Sequence, residues 1–334
     1  MYKIIFFKNV TRLGHLPYQN LLSAPKHLRS ISSKVIPPYT PLILKQDISI
    51  RTMTPKDLQM VFKWAENEGW NPGKHETESL YAADPRGYYI LEVDGEPTAS
   101  LAAVKYSQKL AFLGLFIVTP SKRGQGFGAM LWDAVTSKLE ICSSIGLNAV
   151  MEQIERYGRS GFYPSFLNTR WKGRPDNIPS DREVKKEGFS LTDKFLTKDI
   201  IEYDRSIFSS PREAFLTHWL KMPESHALAA LDKQGNVIGY GVISRTVEPN
   251  SYKIAPLFAN SEIVADQLYR SLCSFAGKDA TVSIDISETS PYASAMVERF
   301  KLEKIFDTMR MYKGEIPAID KDKIVGLTSL EIGK

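Results

Sequence analysis

The chain of 334 residues contains only two cysteines, Cys142 and Cys273, and neither has a second cysteine at the spacing of a metal site. Both lie among apolar residues, so we expect two buried thiols in a reducing compartment rather than a disulfide framework. The five histidines form no cluster, and no zinc site is predicted. Apolar runs such as residues 112–118 are far shorter than the roughly 20 residues that span a bilayer. We therefore expect neither a metal nor a membrane as partner.

Acidic residues are absent from the first 46 positions, which carry seven lysines and arginines. Since the whole chain has a net charge of +5, the remainder carries about −2. That balance argues against a broad nucleic-acid-binding surface on the folded part, so no nucleic-acid partner is expected. An acid-free leader containing Arg and Ser is typical of a mitochondrial transit peptide, and a disordered extension is the alternative. The predicted localisation is mitochondrial or cytoplasmic.

From residue 47 onward, strand and helix patterns alternate, and their order repeats once. The two copies are predicted at 47–173 and 189–315, joined by a polar linker at 174–188 and followed by a tail at 316–334. In the first copy, Asp94-Gly95 predicts a hairpin turn, and residues 111–118 predict a central strand buried on both faces. Residues 69–84 are predicted as a loop. The expected fold class is α/β, with a mixed α+β sheet in each of two tandem copies.

A glycine-rich loop at residues 119–128 joins the apolar strand to the next predicted helix. Its three alternate glycines allow backbone N–H groups to approach an anion without interference from Cβ atoms. The positive end of the helix and the charges of Lys122 and Arg123 add to the attraction. The loop therefore predicts binding of a diphosphate.

Two other interpretations of this loop remain open. Gly124-x-Gly126-x-x-Ala129 also satisfies a relaxed dinucleotide-binding fingerprint. Against it, the loop is long and basic before its first glycine, a hairpin precedes it, and no strand ending in an acidic residue follows about 20 positions later. A purely structural glycine turn is the other alternative.

The same residues carry a family resemblance. Arg123-x-x-Gly126-x-Gly128, with its Val-x-Pro lead-in, resembles the pyrophosphate loop of the GNAT acetyltransferases. The resemblance implies that the loop amides hold the pyrophosphate of acetyl-CoA, the co-substrate, and that the preceding strand pairs with the pantetheine arm. The cofactor-binding residues that it implies are Phe116, Val118, Arg123, Gly124, Gln125, Gly126, Phe127, Gly128 and Ala129.

A second segment, residues 157–162, resembles the Tyr-x-Lys-x-Gly-Phe segment of the same family. The resemblance implies that Tyr157 is catalytic and protonates the departing thiolate of CoA. An aromatic side chain that packs on the core is the alternative interpretation. For the base that takes the proton from the amine, several carboxylates stay open, each with a solvated surface charge as its alternative. These are Glu66, Glu68, Glu76 and Glu78.

The second copy lacks the loop. Residues 258–263 contain no glycine and no arginine, and Glu262 would repel a diphosphate. Over roughly residues 195–314, this half resembles the C-terminal domain of the YitH-type tandem GNAT proteins, and the resemblance is carried by residues 239–241, Arg245, residues 255–259 and residues 310–312. The resemblance implies a second GNAT fold that has lost its cofactor.

The predicted function is therefore an acetyl-CoA-dependent N-acetyltransferase, in which an amine attacks the thioester directly. No acyl-enzyme is needed, and the second copy would border the acceptor site. The acceptor is a small-molecule or peptide amine, and a small amine, an amino acid, a polyamine and a protein lysine all remain open. A non-catalytic acyl-CoA-binding or regulatory module is the alternative function.

Overall fold

The computed structural model of the chain describes residues 46–175, 188–208 and 210–333. The predicted leader and most of the predicted linker lie outside the described residues. Within the described ranges, no helix is long and apolar enough to cross a membrane. The same ranges contain no group of three or more side chains that could hold a metal ion.

The first half follows the predicted order of elements, with one correction. Residues 76–83 form a helix, although the sequence predicts a loop there. This helix has no side-chain cap and only a weak apolar face, so the local sequence does not predict it. It is stabilised instead by burial of Leu80 and by packing against a helix of the second half. The elements are β1 (Ile48–Thr52), α1 (Pro55–Asn67), α2 (Glu76–Ala83), β2 (Tyr88–Val93), β3 (Glu96–Lys105), β4 (Leu110–Val118), α3 (Phe127–Thr136), β5 (Ser144–Val150), α4 (Ile154–Arg159) and β6 (Tyr163–Gly173).

Short-range signals set several of these boundaries. Thr54 and Asp57 form a capping box at the start of α1, where each side chain accepts from the other residue's backbone amide. The predicted hairpin turn between β2 and β3 is confirmed, because Asp94 and Gly95 both have positive φ, at 54° and 80°. The nearly all-apolar strand β4 lies inside the sheet, as its sequence predicts.

The second half repeats this order of strands and helices. Its helix α6 is the one on which α2 packs, so the two halves also meet through helices. The elements are β7 (Phe189–Thr192), α5 (Thr197–Ile207), α6 (Glu213–Trp219), β8 (Ser225–Asp232), β9 (Val237–Arg245), β10 (Ser251–Ala259), α7 (Glu262–Ala276), β11 (Thr281–Ser287), α8 (Ala293–Arg299), β12 (Glu303–Gly314) and, beyond the repeat, β13 (Ile324–Gly326).

The two halves exchange their last strands. The described strands form one sheet in the order β1-β2-β3-β4-β5-β12-β6-β11-β13-β10-β9-β8-β7. The last strand of the second half, β12, therefore pairs with β5 of the first, and β6 of the first half pairs with β11 of the second. The exchanged strands also pair with each other, antiparallel, at the centre. Neither half completes its own sheet.

Two of the apolar cores contain side chains from both halves. Met311 of β12 is fully buried among first-half residues that include Leu147 and Phe162. A second core lies between α1 and α2 of the first half and α5 and α6 of the second, and it contains Leu58 and Trp219. Side chains from both halves are thus needed to fill each of these cores.

Met311→Ala tests the exchange. Deleting a fully buried side chain removes apolar contacts and leaves a cavity, so we expect the free energy of unfolding to fall by about 3 kcal/mol. Urea denaturation would measure it. Ile305→Ala is the control, because Ile305 lies on the same strand with 47% of its surface exposed. A loss at Met311 as small as that at Ile305 would show that β12 is not part of the first-half core.

Candidate active site

The loop singled out by the sequence begins where β4 ends, at Val118. One 3₁₀ turn, Pro120–Lys122, is followed by Gly124 and Gly126, whose φ angles are 77° and 91°. Those angles lie in the left-handed region, where any side chain with a Cβ is strained. Glycine is therefore required at both positions for the chain to turn into α3.

The amino end of α3 has no side-chain cap, because its N-cap residue is Gly126. The first N–H groups of a helix have no partner within it, so those of residues 127–129 are open to an anion at the positive end of the helix dipole. The corresponding helix α7 differs, since the Ser261 hydroxyl caps it and accepts from the amide of Val264. Of these two helices, α3 alone has the uncapped, glycine-lined start that suits a diphosphate.

Strands β4 and β5 separate after a short parallel stretch, in which residues 110–113 pair with residues 144–147. Beyond it, β4 bulges: its register against β3 shifts after Ser100, and Leu115 has a φ of 47°. The Ser100 hydroxyl donates to the carbonyl of Leu115 at 2.7 Å and so fixes the bulge. A V-shaped gap between β4 and β5 results.

A cavity of 640 Å³ occupies this gap and extends from the glycine loop to residues of the second half. Gln125 is the one residue of the ten implied above that does not line it, because its side-chain amide donates to the carbonyl of Ser121 at 3.0 Å. The other nine line the cavity together: Phe116, Val118, Arg123, Gly124, Gly126, Phe127, Gly128, Ala129 and Tyr157.

Two contacts beside the loop hold the side chain of Arg123 in place. Its Nε donates to the carbonyl of Val118 at 2.9 Å, and its guanidinium forms an ion pair with Glu68. Glu68 also lines the cavity. Because it pairs with Arg123, this candidate base lies beside the loop and not at the end of the cavity that faces the second half. Its negative charge is already matched by the guanidinium.

Tyr157 lies on α4 in an aromatic cluster. Its ring contacts that of Trp132, with 5.4 Å between centroids, and Trp132 in turn contacts Phe116 of β4 at 5.5 Å. Burial raises the pKa of the Tyr157 hydroxyl, against a smaller opposing effect of Arg156. The phenol therefore keeps its proton through neutral pH, as a proton donor must. Trp132, which also lines the cavity, is a site residue that sequence reasoning missed.

Two other candidate bases lie at the surface. Glu66 forms an ion pair with Lys63 at 2.7 Å, one turn away on α1. Glu78 is 79% exposed and 3.7 Å from the ring of His218. Neither lines the cavity, so their alternative interpretation as solvated charges fits their positions better.

Glu76 is the opposite case, since it is fully buried. Its carboxylate lies 2.6 Å from the ammonium of Lys253, which comes from β10 of the second half and is itself 2% exposed. Burial disfavours the charged form of this lysine, but the carboxylates of Glu76, Glu331 and Asp285 together outweigh it and the pKa of Lys253 is raised. The pair is an ionic contact between the halves.

The far end of the cavity was not predicted. There Arg170 of β6 binds Asp285 of β11 with two hydrogen bonds of 2.7 Å, and it donates to the carbonyl of Trp70 at 2.8 Å. Burial disfavours the charge on Arg170, yet Asp285, together with the carboxylates of Glu331 and Glu76, overcomes this and raises the pKa of the guanidinium. No sequence signal marks these residues, because strand exchange brings them together. The lining of this end consists of Trp70, Asn148, Arg170, Phe306, Thr308, Leu330 and Glu331.

The last residues of the chain, predicted as a tail, enter both halves. Strand β13 lies between β10 and β11, the gap that corresponds to the cofactor gap of the first half. The chain then continues into the first half, where Asn148 of β5 donates to the carbonyl of Leu330 at 2.8 Å. The carbonyl of Glu331 packs against Gly114, next to the β4 bulge. The second half therefore has its gap filled by its own chain, besides lacking the loop.

Comparison with known proteins identifies the class. A model described as the acetyltransferase (GNAT) family matches residues 56–162, and one described as an acetyltransferase (GNAT) domain matches residues 200–326. Holothin acyltransferase from Pseudoalteromonas sp. (strain SANK 73390) is 30% identical over 296 residues, which cover 87% of this chain and 97% of that protein.

Solved structures share the fold. A protein from Pyrococcus horikoshii aligns with a TM-score of 0.68 at 20% identity, over 86% of this chain and 96% of its own. A tandem GNAT protein from the clavulanic acid biosynthesis pathway aligns with a TM-score of 0.58 at 12% identity, over 81% of this chain and all of its own.

The fold and the family matches together define an acyltransferase. The chain belongs to the GNAT acetyltransferase family and contains two GNAT folds, of which the second lacks the pyrophosphate loop. Both the predicted family and the predicted fold class are confirmed. Enzymes of this fold generally depend on acyl-CoA.

Gly114→Ala tests the position of the tail. Gly114 does not have a positive φ, so alanine suits its backbone, but the added methyl group would collide with the carbonyl of Glu331. We expect the free energy of unfolding to fall by about 2 kcal/mol and the amides of residues 327–333 to exchange faster. Hydrogen-exchange mass spectrometry would measure the exchange.

Gly158→Ala is the control for this experiment, because a Cβ built there meets no atom within 4 Å. Unchanged exchange in residues 327–333 of the Gly114 variant would mean that the tail does not contact β4.

Proposed function

We propose that the chain is an acetyl-CoA-dependent N-acetyltransferase whose first half holds the cofactor and whose two halves together hold the acceptor amine. The observation that carries this proposal is the single cavity that joins the uncapped start of α3 to the gap between β4 and β5. A long thioester with a diphosphate at one end fits such a cavity, and the second substrate has the opposite end available.

In this proposal the diphosphate lies at the amides of residues 124–129, where the helix dipole and Lys122 attract it. The pantetheine arm runs along β4 past Phe116 and Val118, whose backbone groups do not pair with β5. The thioester then reaches the bulge at Leu115. The cofactor-binding residues proposed are those implied by the resemblance, and Gln125 contributes through its backbone in the loop.

The reaction proposed is direct transfer. The amine attacks the carbonyl carbon of the thioester, and backbone donors near the bulge stabilise the oxygen as it becomes negative. Tyr157 then protonates the departing thiolate. Most of the rate would come from holding the amine and the thioester in line within the cavity.

The acceptor belongs to the part of the cavity that the two halves share. The name of the similar Pseudoalteromonas protein specifies acyl transfer to holothin, which supports a small-molecule acceptor here over a protein lysine. The far end, bordered by Trp70 and Phe306, is the part of the cavity proposed for this amine. Acetyl is the acyl group proposed.

Acetyl-CoA binding is the first test. We expect isothermal titration calorimetry to show binding of acetyl-CoA and of CoA to the wild type. In the double variant Arg123→Glu with Gly126→Glu, Kd should rise by about 100-fold, because charge-assisted hydrogen bonds to the diphosphate are lost and replaced by repulsion. Lys198→Glu is the control, an exposed charge reversal on α5.

Absence of binding by the wild type would contradict the proposal. Binding without release of CoA thiol, across a panel of acyl-CoAs and primary amines that includes phenethylamine, spermidine and glucosamine, would favour a non-catalytic acyl-CoA-binding module instead.

Tyr157→Phe tests the proton donor. We expect kcat to fall by about 100-fold with the Kd of acetyl-CoA unchanged, since the hydroxyl acts only as the thiolate leaves. Because the pKa of Tyr157 is raised, the donor is present at neutral pH, and the ratio of wild-type to variant activity should decline only at alkaline pH. Tyr163→Phe, at an exposed tyrosine of β6, is the control. A ratio of one at every pH would rule out the general-acid role.

A further inference from the structure

A buried group of charges surrounds the far end of the cavity. Two cations, Arg170 and Lys253, lie there with three carboxylates, those of Glu76, Asp285 and Glu331, and a third cation, Arg310, lies nearby through its hydrogen bond to Asn148. All six side chains are at least nine-tenths buried. A buried carboxylate is costly unless a cation joins it, so a carboxylate that faces this end of the cavity without an ion pair favours a positively charged ligand.

Two of the three carboxylates are already paired. Both oxygens of Asp285 accept from Arg170, each at 2.7 Å. Glu76 has the ammonium of Lys253 at 2.6 Å, and neither Glu76 nor Asp285 lines the cavity. Neither carboxylate can therefore reach an incoming amine without breaking its ion pair.

Glu331 is the third carboxylate, and it lines the cavity. Its Oε2 accepts from the hydroxyl of Ser329 at 2.7 Å, and within the described part of the chain no cation forms an ion pair with it. It is close enough to Glu76 for its charge to raise the pKa of that carboxyl, whose burial is the larger cause. Glu331 is therefore the carboxylate of this group that faces the cavity without an ion pair.

The backbone places this carboxylate near the reacting atoms. The carbonyl of Glu331 packs against Gly114, which precedes the bulge residue Leu115 on β4. On the other side of the gap, Asn148 of β5 holds the preceding carbonyl, that of Leu330. The tail thus crosses the mouth of the β4–β5 gap, at the point where the proposed pantetheine path ends.

We propose that Glu331 is the general base that receives the acceptor amine and takes its proton, with Ser329 as the residue that positions the carboxylate. This inference rests on the proposed N-acetyltransferase function and assigns its missing base. The acceptor class that follows is a primary amine that carries a positive charge at neutral pH. Its ammonium form would supply Glu331 with a cationic partner.

The proton balance of the step is simple. The bound ammonium first gives one proton to the Glu331 carboxylate, which passes it to solvent. The neutral nitrogen then attacks the thioester carbon and forms the C–N bond, and a second proton on that nitrogen passes to the Glu331 carboxylate. The C–S bond breaks, and the thiolate takes a proton from Tyr157. Glu331 returns its proton to solvent and Tyr157 regains one, so the products are the amide and CoA.

Glu331→Gln tests the assignment with acetyl-CoA and the most active amine of the panel. The amide keeps the size of the side chain and can still accept from Ser329, but it cannot take a proton. At neutral pH we expect kcat/KM to fall by about 100-fold, while the Kd of acetyl-CoA measured by calorimetry stays within about twofold. Glu315→Gln, which removes an exposed carboxylate shortly before the tail, is the control and should match the wild type.

The pH dependence separates a base from a structural role. The ratio of wild-type to Glu331→Gln activity cancels the ionisation of the amine itself. A carboxylate accepts protons only when ionised, so the ratio should be large at neutral pH and fall toward one as the pH is lowered. The charged groups that face Glu331 are common to both proteins: Glu76 of α2, Arg170 of β6, Lys253 of β10, Asp285 of β11 and Arg310 of β12.

A second pair of variants distinguishes loss of the base from misfolding. Ser329→Ala should lower kcat/KM by about tenfold through loss of one hydrogen bond, and Glu331→Asp should recover part of the activity lost in Glu331→Gln. A ratio that is large but independent of pH, or full activity of Glu331→Gln, would overturn the base assignment while the N-acetyltransferase function stands. A wild type that releases no thiol with any amine would overturn both.

Discussion

The exchange of the last strands between the halves is the constraint on which the rest of the structure depends. Because β12 pairs with β5 and β6 pairs with β11, each half relies on the other for a neighbour that its own chain would otherwise supply. The pairing also sets Arg170 of β6 opposite Asp285 of β11. In either half alone, each of these charges would lack its partner. In the shared sheet the two charges are buried together and hydrogen-bonded to each other.

The tail, which follows residue 315, makes the two halves differ, although their strands and helices come in the same order. In the second half, β13 adds hydrogen-bonded backbone between β10 and β11, so that gap has no space for a pantetheine arm. In the first half, the corresponding gap stays open along β4, and the tail reaches only its far end. One continuous segment therefore fills the gap of the second half and lines the far end of the cavity in the first.

The sequence predicts what depends on neighbouring residues. The hairpin at Asp94-Gly95, the glycine loop and the loss of that loop in the second half are local patterns, and they predict two GNAT folds correctly. What it does not predict depends on residues far apart in the chain. Helix α2 packs on α6, Met311 lies in a core with residues as far back as Leu91, and the carbonyl of Glu331 packs against Gly114.

The two ends of the cavity present different groups to the two proposed substrates. At one end, the uncapped start of α3 and Lys122 suit a diphosphate. At the other, Glu331 faces the cavity, and among the described residues it has no ion pair. In the proposed reaction the loop end favours the anionic cofactor and Glu331 favours an ammonium, so each substrate is favoured at its own end. Electrostatics therefore adds to shape in bringing the amine and the thioester together at the bulge of β4.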